Sequence, residues 1–148
     1  MGGGGPVAIV LTTAHVRAIE DHARATYPEE CCGFLIGEPG EPKRVREVRR
    51  ATNVVAEDRA RRYVIDPKEL LGVDRGLAGS GRDLLGFYHS HPDHPARPSE
   101  FDLENAAWPG YSYVILSIVG RSPNDLRSWL LDRDGRRVET ETLSITQE

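Results

Sequence analysis

The chain has 148 residues, 39% hydrophobic and 28% charged, which suits one soluble globular domain with a core of its own. A formal net charge of −4 argues against a dedicated nucleic-acid binder, because holding phosphates takes clustered positive charge. No apolar run approaches the roughly 18–20 residues that cross a bilayer, so no membrane partner is expected.

The start, Met1-Gly2-Gly3-Gly4-Gly5-Pro6, has neither the basic region nor the apolar stretch of a signal peptide. We expect a flexible glycine-rich tail over 1–6 and a single domain over 7–148. Cys31 and Cys32 are the only cysteines; neighbours pair poorly with each other, so no disulfide framework is expected and a reducing cytoplasm fits.

Thr12 or Thr13 is placed to cap a helix running to about Tyr27, with Val16, Ile19, His22, Ala23 and Thr26 on one face. Cys31 to Gly37 is a short apolar run bounded by glycine and reads as a buried strand. Lys43 to Arg50 reads as a second, half-exposed strand, although Val45 and Val48 break strict alternation. After a charged loop, Arg62 to Ile65 reads as a third. Pro67 opens a helix to about Leu77, and Asp83 to Ser90 is a central strand by composition. A proline-rich loop follows, then a short helix from about Ser99 to Trp108. Tyr111 to Val119 is rich in β-branched and aromatic residues, a strand signal. Leu126 to Leu131 and Arg137 to Leu143 suit a closing hairpin across Asp134-Gly135. The expected architecture is α/β: a mixed sheet with helices on both sides.

The chemistry-bearing stretch is His89-Ser90-His91-Pro92 followed by Ser99-Glu100-Phe101-Asp102. On a strand, residues two apart point to the same side, so His89 and His91 present two imidazoles together. Seven residues separate His91 from Ser99, enough to turn the chain back and offer Asp102 as a third ligand. Two nitrogens and one oxygen favour zinc over magnesium or calcium, and three protein ligands leave a fourth position for water. Each part also has a plainer reading. A His-x-His pair on a strand is common without metal, Ser99-x-x-Asp102 is also a helix-capping pattern, and His94 is a rival ligand at chelating spacing from His91. Hydrolysis further needs a group to move the water's proton. Glu29 and Glu30 both stand before the apolar strand, and composition does not choose between them.

Glu30-Cys31-Cys32-Gly33, then His89-Ser90-His91, seven residues, Ser99, two residues and Asp102, resembles the signature of the JAMM (MPN+) metalloprotease family. The flanking Pro28-Glu29 before it, Phe34-Leu35-Ile36-Gly37 after it, and Gly86-Phe87-Tyr88 before the histidines agree. The resemblance implies a cytidine-deaminase-like mixed-sheet JAMM/MPN fold and one Zn2+ per chain held by His89, His91 and Asp102. By the same resemblance Glu30 is the general acid/base, Ser99 a donor to the developing oxyanion, and Ser90 structural. Family members hydrolyse peptide or isopeptide bonds, often after a terminal Gly-Gly. The small size of the chain resembles stand-alone bacterial members, which implies a ubiquitin-like sulfur-carrier protein as substrate partner. The arginines at 44, 46, 49, 50, 59, 61 and 62 are candidates to meet such a carrier, against the plainer reading of solvated charge. A non-catalytic scaffold is the alternative, though scaffolds of this fold lose ligands that are present here. A base deaminase is excluded, because its Pro-Cys-x-x-Cys pattern is missing.

Overall fold

The computed structural model describes residues 8–106, 108–131 and 137–147. In chain order its elements are β1 (Ile9–Thr12), α1 (Thr13–Thr26), β2 (Cys32–Glu38), β3 (Lys43–Ala51), α2 (Pro67–Leu77), β4 (Asp83–Pro92), α3 (Glu100–Asn105), β5 (Ser112–Val119), β6 (Ser122–Leu131), β7 (Val138–Glu141) and β8 (Leu143–Thr146). The strands form one mixed sheet in the order β7-β6-β5-β4-β2-β3-β1-β8. β4 runs parallel to β5, and β1 is parallel to both β3 and β8.

Alternation along the central strands builds two apolar layers. Leu35, Tyr88, Val114 and Leu116 face α1, whose Ile19 and Ala23 complete that layer. Phe34, Ile36 and Phe87 face the other way, against Val73 of α2. The helices therefore flank the sheet, as expected. The broken alternation at Val45 and Val48 has a cause: the β2–β3 register slips between Ile36 and Gly37, so Gly37 pairs Val45 while Ile36 pairs Glu47. Arg46 is the extra residue of a bulge, which lets both valines reach the α1 layer.

The two outermost strands of the sheet are consecutive in the chain, with only Thr142 between β7 and β8. The sheet must curl until its edges meet. The Thr142 carbonyl accepts from the N–H groups of Ala8 (3.0 Å) and Ile9 (3.2 Å). Inside the curl, Lys43 of β3 donates to Ser112 Oγ and the Gly110 carbonyl, both at 2.8 Å. It also lies 3.5 Å from the buried Glu141 carboxylate of β7.

Several sequence expectations need correcting. β1 was not anticipated: four residues preceding a well-capped helix give too short a signal. Arg62 to Ile65 is not a strand but a loop segment tied down by one bridge, Asn53 to Ile65. The closing hairpin exists as β6–β7, but Leu143 leaves it to start β8 on the opposite edge. Asp134-Gly135 lies outside the described residues, as does the tail over 1–6. The short helix ends at Asn105 rather than near Trp108.

Candidate metal centre

His89 and His91 occupy the end of β4 and are buried at 2% and 0% exposure. Ser90, between them, points to the opposite face. Its Oγ accepts a 2.8 Å hydrogen bond from the Cys31 N–H, and its own N–H donates to the Cys31 carbonyl at 3.2 Å. This locks the entrance of β2 against β4 and delivers Glu30 beside the histidines. The Glu30 backbone is held on both sides. Its N–H donates to the Arg59 carbonyl (2.8 Å), and its carbonyl accepts from Asn53 Nδ2 (3.3 Å). Glu29 is exposed whereas Glu30 is 1% exposed, so only Glu30 enters the cluster.

The third element is α3. Ser99 is its N-cap: Ser99 Oγ accepts from the Asp102 N–H at 3.1 Å, and Asp102 Oδ2 accepts from the Ser99 N–H at 2.9 Å. The capping and ligating readings of this motif are therefore compatible. The same Oδ2 sits 3.1 Å from His89 Nε2 and 3.0 Å from His91 Nε2, and the two nitrogens are 3.1 Å apart. This near-equilateral triangle approaches the about 3.3 Å edge of a tetrahedron with bonds of about 2.0–2.1 Å to one central ion. Glu30 offers a carboxylate oxygen within 4.8 Å of the other three donor atoms but hydrogen-bonds to none of them.

The unmet polar demand at this spot fits a metal with water beside it. Among the described residues, the buried side-chain atoms lacking a partner are both Glu30 oxygens, His89 Nδ1 and Asp102 Oδ1, all from this cluster. The His91 tautomer is set as ligation requires, because Nδ1 donates to the Pro95 carbonyl at 2.7 Å and leaves Nε2 free. Burial pushes the Glu30 carboxyl up to about 9, with the negative charges of Asp102 and Asp58 adding to it. Burial alone would raise Asp102 too, but His89, His91 and the Ser99 N–H hold it well below the usual carboxylate range. Two buried carboxyls of opposite proton affinity thus stand side by side, Glu30 raised by burial and Asp102 lowered by its partners.

His94 is not in the triangle. Its Nδ1 donates to the Pro92 carbonyl (2.8 Å), its ring stacks on His91, and its Nε2 lies 4.0 Å from Glu30 Oε2. The loop that carries it is stapled at three successive carbonyls: His94 accepts from Ser117 Oγ (2.7 Å), Pro95 from His91, and Ala96 from Trp129 Nε1 (3.0 Å).

Two residues escaped the sequence reading. Tyr63 stacks on His89 with ring centroids 4.3 Å apart. Asn53 ties the intervening loop together, its Oδ1 accepting from the Val55 and Val64 N–H groups at 3.1 Å. Neither belongs to a local pattern that announces such a role, since both act across a fold that brings distant segments together.

A mixed sheet that gathers two histidines and two carboxylates from three segments makes an α/β domain with a buried cluster able to hold a metal ion. The model of the prokaryotic homologs of the JAB domain matches residues 12–132, and the chain belongs to that family. It is 42% identical over 94 residues to the desampylase of Haloferax volcanii, an alignment spanning 64% of this chain and 66% of that one. It is 33% identical over 121 residues to the CysO-cysteine peptidase of Mycobacterium tuberculosis, spanning 82% and 81%. A solution structure of a Desulfitobacterium hafniense protein superposes with a TM-score of 0.82 at 33% identity, covering 95% of this chain and 94% of that one. Among the described residues no helix is long and apolar enough to cross a membrane, which leaves β-barrels aside.

Proposed function

We propose that the protein is a zinc-dependent peptidase or isopeptidase, with the metal held by His89, His91 and Asp102. The observation that carries this reading is the 3.0–3.1 Å triangle of their donor atoms with the unpartnered Glu30 carboxyl beside it. Two imidazoles and a carboxylate suit zinc, which supplies Lewis acidity toward an acyl oxygen and a more acidic water.

The chain's own residues divide the remaining work. Glu30 takes the proton of the attacking water and hands it to the leaving nitrogen, so that water's oxygen ends on the new carboxylate and the amine departs neutral. Its raised affinity for a proton suits that shuttle. Ser99 Oγ accepts from the Asp102 N–H, so its own hydrogen is free to donate to a developing oxyanion. Ser90 positions Glu30 through Cys31, and Tyr63 holds the His89 ring in plane.

For substrate we propose the C-terminal Gly-Gly of a ubiquitin-like sulfur carrier, cut after the second glycine. The names of the desampylase and CysO-cysteine peptidase relatives support this choice. A reducing cytoplasm suits the two buried free thiols. The test is mass spectrometry of such a carrier bearing a C-terminal extension, incubated with zinc-loaded protein. Cleavage after Gly-Gly is expected, lost by about 100- to 10,000-fold in Glu30→Gln and by on the order of 100- to 1,000-fold in Ser99→Ala. Cleavage at an internal site, or full activity in Glu30→Gln, rejects the assignment.

A further inference from the structure

Beside Glu30 opens a cleft of about 510 Å³, lined by Pro28, Arg61, Asp93, His94 and Ser99. Its volume falls in the roughly 300–1,000 Å³ range of small-ligand sites. A separate cavity of about 180 Å³, lined by Tyr63, Phe87, Phe101, Asp102, Trp108 and Tyr113, shares no lining residue with it. The hydrogen-bonded pair of Ser99 and Asp102 stands between them, each lining one. The cluster is thus approached from two sides, one walled by aromatic rings and one where Arg61, Asp93, His94 and Ser99 stand among Pro28, Ala60 and Pro92.

On the Arg61 side, His94 Nε2 lies on the cleft wall 4.0 Å from Oε2 of Glu30, the group that the peptidase reading makes the proton donor to the departing nitrogen. The charges of this wall are unevenly matched. Asp93 is fully engaged, accepting from Tyr27 Oη at 2.6 Å and from the Gly120 N–H at 2.8 Å. Arg61 is exposed, and its guanidinium makes no hydrogen bond or ion pair with the described residues. Other arginines of its stretch are committed: Arg46 to Glu38, Arg49 to Glu47, Arg59 to the Val55 carbonyl, and Arg62 over the Phe101 ring. Nor is Arg61 on a loose tether. Its N–H donates to the Asp58 carbonyl (3.0 Å), and Arg59, two residues before it, accepts from the Glu30 N–H.

We propose that this cleft is the leaving-group site and that Arg61 binds the free α-carboxylate of a short residue released from the substrate's C-terminus. This rests on the peptidase reading above. In an amino acid the carboxylate is one carbon from the departing nitrogen, so a guanidinium carried on the tied-down segment beside Glu30 can reach it, and Arg matches a carboxylate with two parallel donors. The protein is then a trimming peptidase with a preference for chain ends over lysine-linked isopeptides.

The test uses zinc-loaded protein and a ubiquitin-fold carrier whose Gly-Gly is extended by alanine, as the free acid and as the amide. The free acid is expected to be cut with a kcat/KM about 10- to 100-fold above the amide, the span of one charge-assisted hydrogen-bonded pair. Arg61→Met is expected to bring the acid-to-amide ratio of kcat/KM to about one, at unchanged zinc content and Tm. An acid-to-amide ratio equal in wild type and Arg61→Met overturns the proposal. So does a Gly-Gly-Asp amide cut as fast as the free acid, which assigns Arg61 to an acidic side chain instead. If wild type cuts none of these, the peptidase reading fails and the cleft is probed directly by NMR titration. A saturable shift of the Arg61 Nε signal with L-alanine but not L-alaninamide then keeps Arg61 as a carboxylate-binding residue of this cleft while its leaving-group role falls, and no shift overturns the proposal whole.

Discussion

Ser90 Oγ and the Cys31 N–H, 2.8 Å apart across two buried strand ends, couple the histidine strand to the segment that carries Glu30. The bond lies on the face of β4 opposite His89 and His91, so it acts on the site only by fixing where β2 begins. Ser90→Ala leaves a buried N–H unpaired, which costs about 1–3 kcal/mol. We expect a lower Tm by calorimetry, metal content unchanged, and a fall in kcat, because Glu30 loses its register against His91. Equal kcat in the variant would mean that the Arg59 and Asn53 contacts suffice to place Glu30.

Metal content separates the three proposed ligands from their neighbours. His89→Ala, His91→Ala and Asp102→Ala are each expected to lower bound metal, measured by plasma mass spectrometry, whereas His94→Ala keeps it. Metal should raise Tm in wild type, since a ligand at 100 times its Kd stabilises by about 2.7 kcal/mol. Full metal in Asp102→Ala with loss in His94→Ala would exchange the two assignments.

The residues that make the site were legible because two of its three segments are local: His89 and His91 share a strand face, and Ser99 caps the turn that holds Asp102. The choice of Glu30 over Glu29 was not legible from composition. It depends on Cys31 binding Ser90, 59 positions away in sequence. Gly33 carries a similar long-range reason, for a Cβ there would collide with the Tyr88 ring. The curled sheet stayed hidden for a different reason. Arg137 to Leu143 reads as the second arm of one closing hairpin, whereas Leu143 starts a further strand on the opposite edge of the sheet. Tyr63 falls in the Arg62 to Ile65 run of strand composition, while its stacking on His89 across the fold decides its place.

That closure supplies a stability prediction. Glu141 is buried, accepts from Ser128 Oγ at 2.7 Å, and has Lys43 as its cation at 3.5 Å. Lys43→Met strands a buried carboxylate and is expected to cost about 3–5 kcal/mol. The double variant Lys43→Met/Glu141→Gln should recover part of that loss in urea unfolding, since the amide still bonds Ser128 without needing a counter-charge. A double variant no better than Lys43→Met alone would place the energy in Lys43's bonds to Ser112 and Gly110 instead.

The last prediction concerns pH and a pair remote from the metal ligands' face. His22 of α1 is 6% exposed, and its Nδ1 meets Tyr88 Oη at 2.6 Å in the α1 layer. Burial pushes the imidazole down to about 4, and the positive charge of Arg50 adds to the effect. The unfolded chain takes up the His22 proton near pH 6.5, whereas the folded chain refuses it until about pH 4. Between those values the unfolded state binds more protons, so stability rises with pH. This contribution is complete above about pH 6.5 and is lost as pH falls toward 4. A gap of this size corresponds to about 3 kcal/mol over the whole window, as an order of magnitude. His22→Gln keeps a polar partner for Tyr88 but cannot titrate. The difference in unfolding free energy between wild type and His22→Gln, followed by urea denaturation from pH 7 to pH 4, is therefore expected to shift against wild type on acidification. Parallel curves across that range would show that His22 titrates alike in both states, and that the acid sensitivity of the fold lies in other groups.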